Sequence, residues 1–326
     1  MMQGGKMLFQ KKLISTLTLF VNNQCNLKCI YCFEDEKSSK PLLTFEDYTK
    51  IVKQAKGYGA NTVVIVGKEP LLYDKIFHLI DYISGLKMRV ILYTNGTLLS
   101  RSSADSICKK NVDIHIKLDT LNEKCYNKLT NQKVGFQWTN FEYNSNGKKK
   151  LKKIPIALKY LIEAYSTKRN GFAPGHITIE VCANKMNYKT IPELAQFCKD
   201  NNLIIRVERL IKKGRGKDNY KTLKLSEAEC RMLFYKLVKI AGDYFVRYNQ
   251  EKACLARGSL VIHEDGEAGL CAVQRSDKIG NIMDQSMRHI IEKKIKITNN
   301  EGITYKNNFK ICAGRCYLNL EHQKQS

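Results

Sequence analysis

The stretch CNLKCIYC, residues 25–32, places three cysteines within eight positions: Cys25, Cys29 and Cys32. A structural zinc site normally closes a four-coordinate shell from paired ligand groups, and no fourth cysteine or histidine lies nearby in the chain. A [4Fe–4S] cube takes its thiolates at separate iron corners, so three cysteines leave one iron open to an exogenous ligand. The triplet therefore reads as an iron–sulfur loop with a vacancy where a substrate or cofactor binds. Zinc is the competing reading.

The elements that must position this loop show in the hydropathy pattern. Short apolar runs at 13–22, 62–67, 88–94, 112–119, 176–183 and 203–210 read as strands. Amphipathic stretches at 44–58, 74–84, 98–110, 122–130 with 154–167, 188–200 and 226–245 read as helices, with start signals at Thr44, Asp74 and Ser226. Repeated strand–helix units predict a parallel sheet, because parallel strands need crossover connections. Four strands carry polar residues on alternate positions: Thr16, Thr18 and Asn22; Asp113, His115, Lys117 and Asp119; His176, Thr178, Glu180 and Cys182; Arg206 and Glu208. A sheet covered by helices on both faces has near-continuous apolar strands instead. One polar face predicts a curved sheet with helices outside and a lined cavity inside, the cysteine loop opening over its mouth. Solvent-facing edge strands are the alternative. Residues 131–153 break the rhythm, hold the single tryptophan, Trp138, and read as an insertion or lid.

With these residues in place, the sequence is identified as resembling the radical S-adenosylmethionine (SAM) superfamily, whose signature is CxxxCxxC with an aromatic residue before the last cysteine, here Tyr31. The resemblance implies a partial (β/α)6 TIM-like barrel over 13–245 after an N-terminal tail, 1–12. It implies a [4Fe–4S] cluster on Cys25, Cys29 and Cys32 whose open iron chelates SAM, and a 5′-deoxyadenosyl radical that abstracts a substrate hydrogen atom. VGKEP resembles the family's Gly-Gly-Glu-Pro element through Gly67, Glu69 and Pro70, with Lys68 in place of the second glycine. Thr94 and Asn95 match a segment beside the cofactor, Lys117 and Asp119 fall in a cofactor-contacting segment, and Arg206 stands at a carboxylate-contacting position. A purely structural ion pair is the alternative for the last three.

A second cysteine set lies toward the C-terminus: Cys254, Cys271, Cys312 and Cys316. SLVIH, a turn at Asp265–Gly266 and LCAV read as a β-hairpin. Cys254 precedes Gly266 by eleven intervening residues and Cys271 follows it after four, a spacing similar to the entry of SPASM and twitch modules. The resemblance implies a small twitch-like domain over 246–326, hairpin plus helix, with one auxiliary [4Fe–4S] cluster; structural zinc is the alternative. Four thiolates leave that cluster no vacancy, which favours electron transfer or a structural role. Of the other cysteines, Cys108, Cys198 and Cys230 sit at apolar helix positions and read as core, whereas Cys182, on a polar strand face, is a candidate hydrogen-atom donor.

No apolar run is long enough to span a bilayer and no signal-peptide core is present. Twelve cysteines in a cytoplasmic chain then favour metal or redox chemistry over a disulfide framework. The net charge of +24 suits an acidic electron donor such as flavodoxin or ferredoxin, or RNA, or a solvated lysine-rich surface with its densest runs at 147–153 and 212–217. Only 24 residues precede Cys25, so no leader-binding winged helix is expected there. The expected function is a radical SAM enzyme of oxidoreductase or maturase type, oxidising or modifying a peptide or small metabolite. An RNA- or nucleotide-modifying enzyme and a non-catalytic iron–sulfur or zinc scaffold are the alternatives. The family branch that starts molybdenum-cofactor synthesis carries a Gly-Gly-Arg tail; this chain ends RCYLNLEHQKQS and is set apart from it.

Overall fold

Six of the apolar runs pair side by side as parallel strands in the order in which they occur: β1 (Thr16–Phe20), β2 (Thr62–Val66), β3 (Arg89–Thr94), β4 (Val112–Lys117), then β7 (Ile177–Ala183) and β8 (Ile204–Arg209). The structure is a computed structural model that describes residues 13–34, 41–110, 112–131, 136–168, 175–242, 246–247, 258–272 and 278–300. Helices α1 (Phe45–Gly57), α2 (Ile76–Gly85), α3 (Arg101–Lys109), α4 (Glu123–Thr130), α5 (Ile156–Lys168) and α6 (Ile191–Asp200) connect the strands. Short α7 (Gly214–Asp218) and α8 (Tyr220–Leu223) follow β8, then α9 (Glu227–Ala241). Thr44 with Asp47 and Ser226 with Glu229 form reciprocal capping boxes that start α1 and α9. Asp74 does not cap α2, which begins at Ile76 after a 3₁₀ turn at Pro70–Leu72 that Glu69 caps.

Alternation sorts the strands into two faces. Leu17, Leu19, Val63, Ile65, Leu92, Ile114, Ile116, Ile179 and Val207 are buried under the helices as one apolar layer. The opposite face holds a column of polar pairs. Asp113 meets His176 at 2.6 Å and Arg89 at 2.5 Å at the bottom. His115, Glu180, Arg206 and Tyr93 form the middle, and Lys117, Asp119, Cys182 and Glu208 line the top. The one-sided polarity of the strands is thus an inward-facing polar lining.

Residues 131–153 include a hairpin rather than a structureless lid. β5 (Trp138–Ser145) and β6 (Lys148–Pro155) pair antiparallel across Asn146–Gly147, both at positive φ. That dipeptide is the strongest short-range hairpin signal a sequence carries. The ribbon lies on the outer helices: Phe141 and Tyr143 meet Phe197 of α6 edge-on at 6.2 and 5.2 Å, and Lys153 pairs with Glu123 of α4 at 2.7 Å.

The C-terminal hairpin is present as β10 (Ser259–Ile262) and β11 (Glu267–Gly269), followed by β12 (Lys278–Asn281) and α10 (Met287–Asn300). β10 pairs parallel with β1, and β9 (Val246–Arg247) pairs parallel with β8 at the other edge. The barrel sheet and the hairpin are therefore one ten-stranded sheet. Among the described residues no helix is long and apolar enough to cross a membrane.

Phe197 is 1% exposed and anchors the β5–β6 ribbon. Phe197→Ala should cost about 3–5 kcal/mol, as for other buried aromatic truncations. Urea unfolding followed by Trp138 fluorescence checks this, the single tryptophan lying inside the ribbon that the ring supports.

Candidate active site

The cysteine loop leaves the C-terminal end of β1 and is fastened on every side. From below, Lys28 N–H and Ile30 N–H donate to Thr130 and Leu129 carbonyls at the end of α4, at 3.2 and 2.9 Å. Beside it, Asn95 after β3 donates to Asn26 Oδ1 at 2.8 Å, and Asn26 in turn donates to Thr97 at 2.7 Å. The same Asn95 amide lies 3.8 Å from Cys25 Sγ. On the far side Arg215 Nε donates to Cys29 O at 2.9 Å, Asn219 donates to Ile30 O at 3.0 Å, and Gly216 N–H donates to Cys32 O at 3.0 Å. A Cβ at Gly216 would stand 2.8 Å from Tyr31 O and 2.6 Å from Ile211 O, so only glycine lets α7 come this close.

Glu69 joins this loop to the neighbouring strand ends. Its side chain is fully buried and accepts from Leu71 N–H at 3.0 Å, Thr94 Oγ1–H at 2.6 Å and Asn95 N–H at 2.7 Å. Burial raises its pKa, and the three hydrogen bonds only partly offset that rise. Its main chain is bound as well, since Asn22 donates to Glu69 O at 2.6 Å and Glu69 N–H donates to Gln24 O at 2.9 Å. The left-handed residue of VGKEP is Gly67 at φ +106°, where a Cβ would meet Asn22 O at 3.1 Å. Lys68 has no positive φ, so the turn does not require glycine there.

Asp119 is the second junction. It is fully buried and accepts from the Tyr31 hydroxyl, from Lys117 Nζ at 2.8 Å and from Cys182 N–H at 2.7 Å. Lys117 Nζ also lies 5.0 Å from the centre of the Tyr31 ring, a cation–π placement. One strand layer deeper, Arg206 pairs with Glu180 at 3.2 Å and donates to the Tyr93 hydroxyl at 2.6 Å, while His115 Nδ1 lies 2.6 Å from Glu180. Burial opposes the Glu180 charge, but Arg206 and His115 outweigh it and bring its pKa below the ordinary value. Glu208, in register with Cys182, has no comparable pairing; burial, then Glu180, push its carboxyl up to about 7.

Tyr31, Gly67, Glu69, Thr94, Asn95, Lys117 and Asp119 thus gather around the cysteine loop at the strand ends, with Arg206 one layer below. Cys182 is buried and faces the same space, and burial pushes its thiol up strongly. The polar alternation missed Asn26, Thr97, Arg215 and Asn219, which act on the loop backbone; Glu208 was visible as a face residue but not as a site group. In the second cysteine set Cys271 is half-buried and follows β11, whereas Cys254, Cys312 and Cys316 lie outside the described residues.

The donor set of the first loop fits an iron–sulfur cluster. Cys25, Cys29 and Cys32 are all free thiols, Cys25 exposed and the others half-buried. Burial, then the Asp119 charge, push Cys29 up to about 12, and burial raises Cys25 and Cys32 as well, so a bound cationic cluster would supply the charge that holds these groups as thiolates. Among the described residues no group of three or more His, Cys, Asp or Glu side chains is gathered as donors to one ion must be. A cube instead takes its thiolates at separate corners.

A parallel partial barrel with a three-thiol loop over its mouth has the form of the radical SAM fold. The sequence model of the Radical SAM superfamily matches residues 19–141, the stretch that holds the cysteine loop and β2–β4. Over 61% of this chain and 59% of the relative, the sequence is 25% identical to a probable GTP 3′,8-cyclase of Methanocaldococcus jannaschii. It is 35% identical to a GTP 3′,8-cyclase of Alkaliphilus oremlandii over 36% of this chain and 38% of that one. The chain thus spans less than two thirds of the length of these relatives. By fold it is similar to Streptococcus suis SuiB bound to precursor peptide SuiA, with a TM-score of 0.65, 20% identity and coverage of 95% of this chain and 70% of that one. It is likewise similar to anSMEcpe with bound AdoMet, with a TM-score of 0.62, 17% identity and coverage of 96% and 92%.

Glu208 gives the site a pH signature. Its folded pKa of about 7 exceeds the ordinary 4.5, so the folded chain holds this proton more tightly than the unfolded one. The stabilisation is complete below pH 4.5 and disappears as pH climbs through about 7. Between about pH 5 and 8 the wild type should lose on the order of 2 kcal/mol more stability than Glu208→Gln, allowing for screening of this partly exposed group. Paired urea titrations at the two pH values measure the difference.

Proposed function

We propose that the chain reductively cleaves S-adenosylmethionine at a [4Fe–4S] cluster on Cys25, Cys29 and Cys32 and abstracts a hydrogen atom from a substrate in the barrel. The observation that carries this reading is the three-thiol loop, fastened at its backbone on several sides, whose cysteines form no disulfide. When bound, the cluster supplies the electron that splits the sulfonium and yields the 5′-deoxyadenosyl radical. The chain's own part is positional. Gly67 allows the VGKEP backbone to approach the loop, Glu69 ties that turn to Thr94 and Asn95, and Asp119 fixes Tyr31 and Lys117 beside the cofactor. Lys117 and Arg206 are cationic groups of this lining, each already paired with a buried carboxylate, Asp119 and Glu180, so a cofactor carboxylate would share them with those partners.

A peptide or small metabolite modified by net oxidation is the favoured substrate class. The fold is similar to peptide-bound SuiB, and Cys271 after the β10–β11 hairpin is the described member of the four-cysteine set, with Cys254, Cys312 and Cys316, that would hold an auxiliary electron-accepting cluster. The relatives named GTP 3′,8-cyclase support a second reading, a nucleotide substrate with a ring-forming outcome. Isotope transfer into 5′-deoxyadenosine from candidate peptides or nucleotides separates the two.

Anaerobic reconstitution should load about eight irons per chain, four per cubane. With dithionite and SAM the protein should release 5′-deoxyadenosine, detected by chromatography. Alanine at Cys25, Cys29 or Cys32 should abolish release, whereas alanine at Cys271 should remove about four irons and leave cofactor cleavage in place. Tightly held zinc with no cleavage would overturn the proposal.

A further inference from the structure

The inside of the barrel has two unlike walls. On β2 and β3 it is aliphatic: Val64, Val66 and Ile91 alternate with the helix-facing Val63, Ile65 and Leu92, and all three are half-buried. Ile91 lies in register with Val64 on one side and with Asp113 of the polar column on the other. On β4, β7 and β8 the wall is charged, and its cations are already matched with carboxylates, Lys117 with Asp119 and Arg206 with Glu180. Glu208 is the carboxylate left over. It is half-buried beside Cys182 and forms no hydrogen bond or ion pair with a described residue. Its charge is felt across the interior, for burial, then Glu180, raise the Tyr93 hydroxyl, and Glu208 adds to that rise. Tyr93 stands two residues from Ile91 on the same face of β3, so the unmatched carboxylate and the aliphatic wall border one space.

We infer that Glu208 and the wall of Val64, Val66 and Ile91 form a substrate subsite, and that it takes a primary ammonium group on a short aliphatic stem. The inference deepens the proposed function and rests on it, since the barrel interior is there the substrate space. A carboxylate withdrawn from water is stabilised by a cation that donates hydrogen bonds to it. The methylene groups of the stem gain by leaving water for the aliphatic wall. A nucleoside triphosphate suits this space poorly, because its negative charges would meet Glu208 while Lys117 and Arg206 are already engaged.

The test uses the full chain, apo and iron-loaded, with n-butylammonium as the probe and ligand-observed saturation-transfer NMR as the readout. Methylammonium should bind about tenfold more weakly than n-butylammonium for want of the apolar stem, and n-butyrate should not displace the probe. Glu208→Gln should weaken n-butylammonium binding about tenfold or more, and Glu208→Asp should fall between. The groups that face this carboxylate are Tyr93 on β3, Lys117 and Asp119 at the end of β4, Glu180 and Cys182 on β7 and Arg206 on β8. Burial, then Glu180, push the Glu208 carboxyl up to about 7, while the probe stays charged throughout. Wild-type affinity should therefore rise about tenfold from about pH 6 to about pH 8, and Glu208→Gln should show no such rise. Equal affinity in wild type and Glu208→Gln, equal affinity for the two ammonium ions, or displacement of the probe by GTP would each overturn the proposal. Failure of the wild type to load iron would remove the cluster reading, while the apo series still decides the subsite. Absence of amine binding in a chain that loads iron and cleaves SAM would remove the subsite alone.

Discussion

A carboxylate withdrawn from water at the mouth of the barrel holds the site together. Asp119 has no exposed surface, and a buried charge is tolerated only when donors replace the water it has lost. The donors here come from three separate parts of the chain: Tyr31 in the cysteine loop, Lys117 on β4 and the Cys182 N–H on β7. One side chain thus fixes the distance between the loop and two strands. The spatial requirement is strict, because the loss of any one partner leaves another group buried without its complement.

Glu69 performs the same work on the opposite side, through the ends of β2 and β3 and the turn between them. Together the two carboxylates hold the loop's neighbours, while Arg215, Gly216 and Asn219 hold its carbonyls and the end of α4 holds its amides. The sulfurs are held by long contacts, Leu27 N–H to Cys25 Sγ and Cys32 Sγ–H to Glu34 O, both at 3.4 Å. A scaffold that fixes a ligand loop by its backbone on several sides while its thiols form no disulfide is preorganised for a cofactor.

Much of this was legible in the sequence because the relevant signals are local or periodic. The cysteine spacing, the apolar runs and the polar alternation of DIHIKLD all survive in the structure as loop, strands and inner lining. Asn146–Gly147 was also a readable signal, yet the surrounding polarity of 131–153 masked a hairpin whose support, Phe197, lies on a different helix. The loop's fasteners were not readable in the same way. Arg215 and Asn219 act on carbonyls of residues 186 and 189 positions away, and nothing in a basic run distinguishes a residue gripping backbone from one facing water. Asn26 and Thr97 share that limit, since their role exists only where the ends of β1 and β3 meet. The second cysteine set is legible only in part, with Cys271 placed and its three companions outside the described residues.

The parallel pairing of β10 with β1 has a consequence for biosynthesis. Ser15 bonds to Gly258 across 243 positions, so the strand that launches the cysteine loop cannot complete its hydrogen bonding until most of the chain exists. At ribosomal speeds that delay is roughly ten to fifty seconds, during which one edge of β1 is an open template. The nascent chain therefore has a built-in waiting period, with one edge of β1 covered only once β10 has been made.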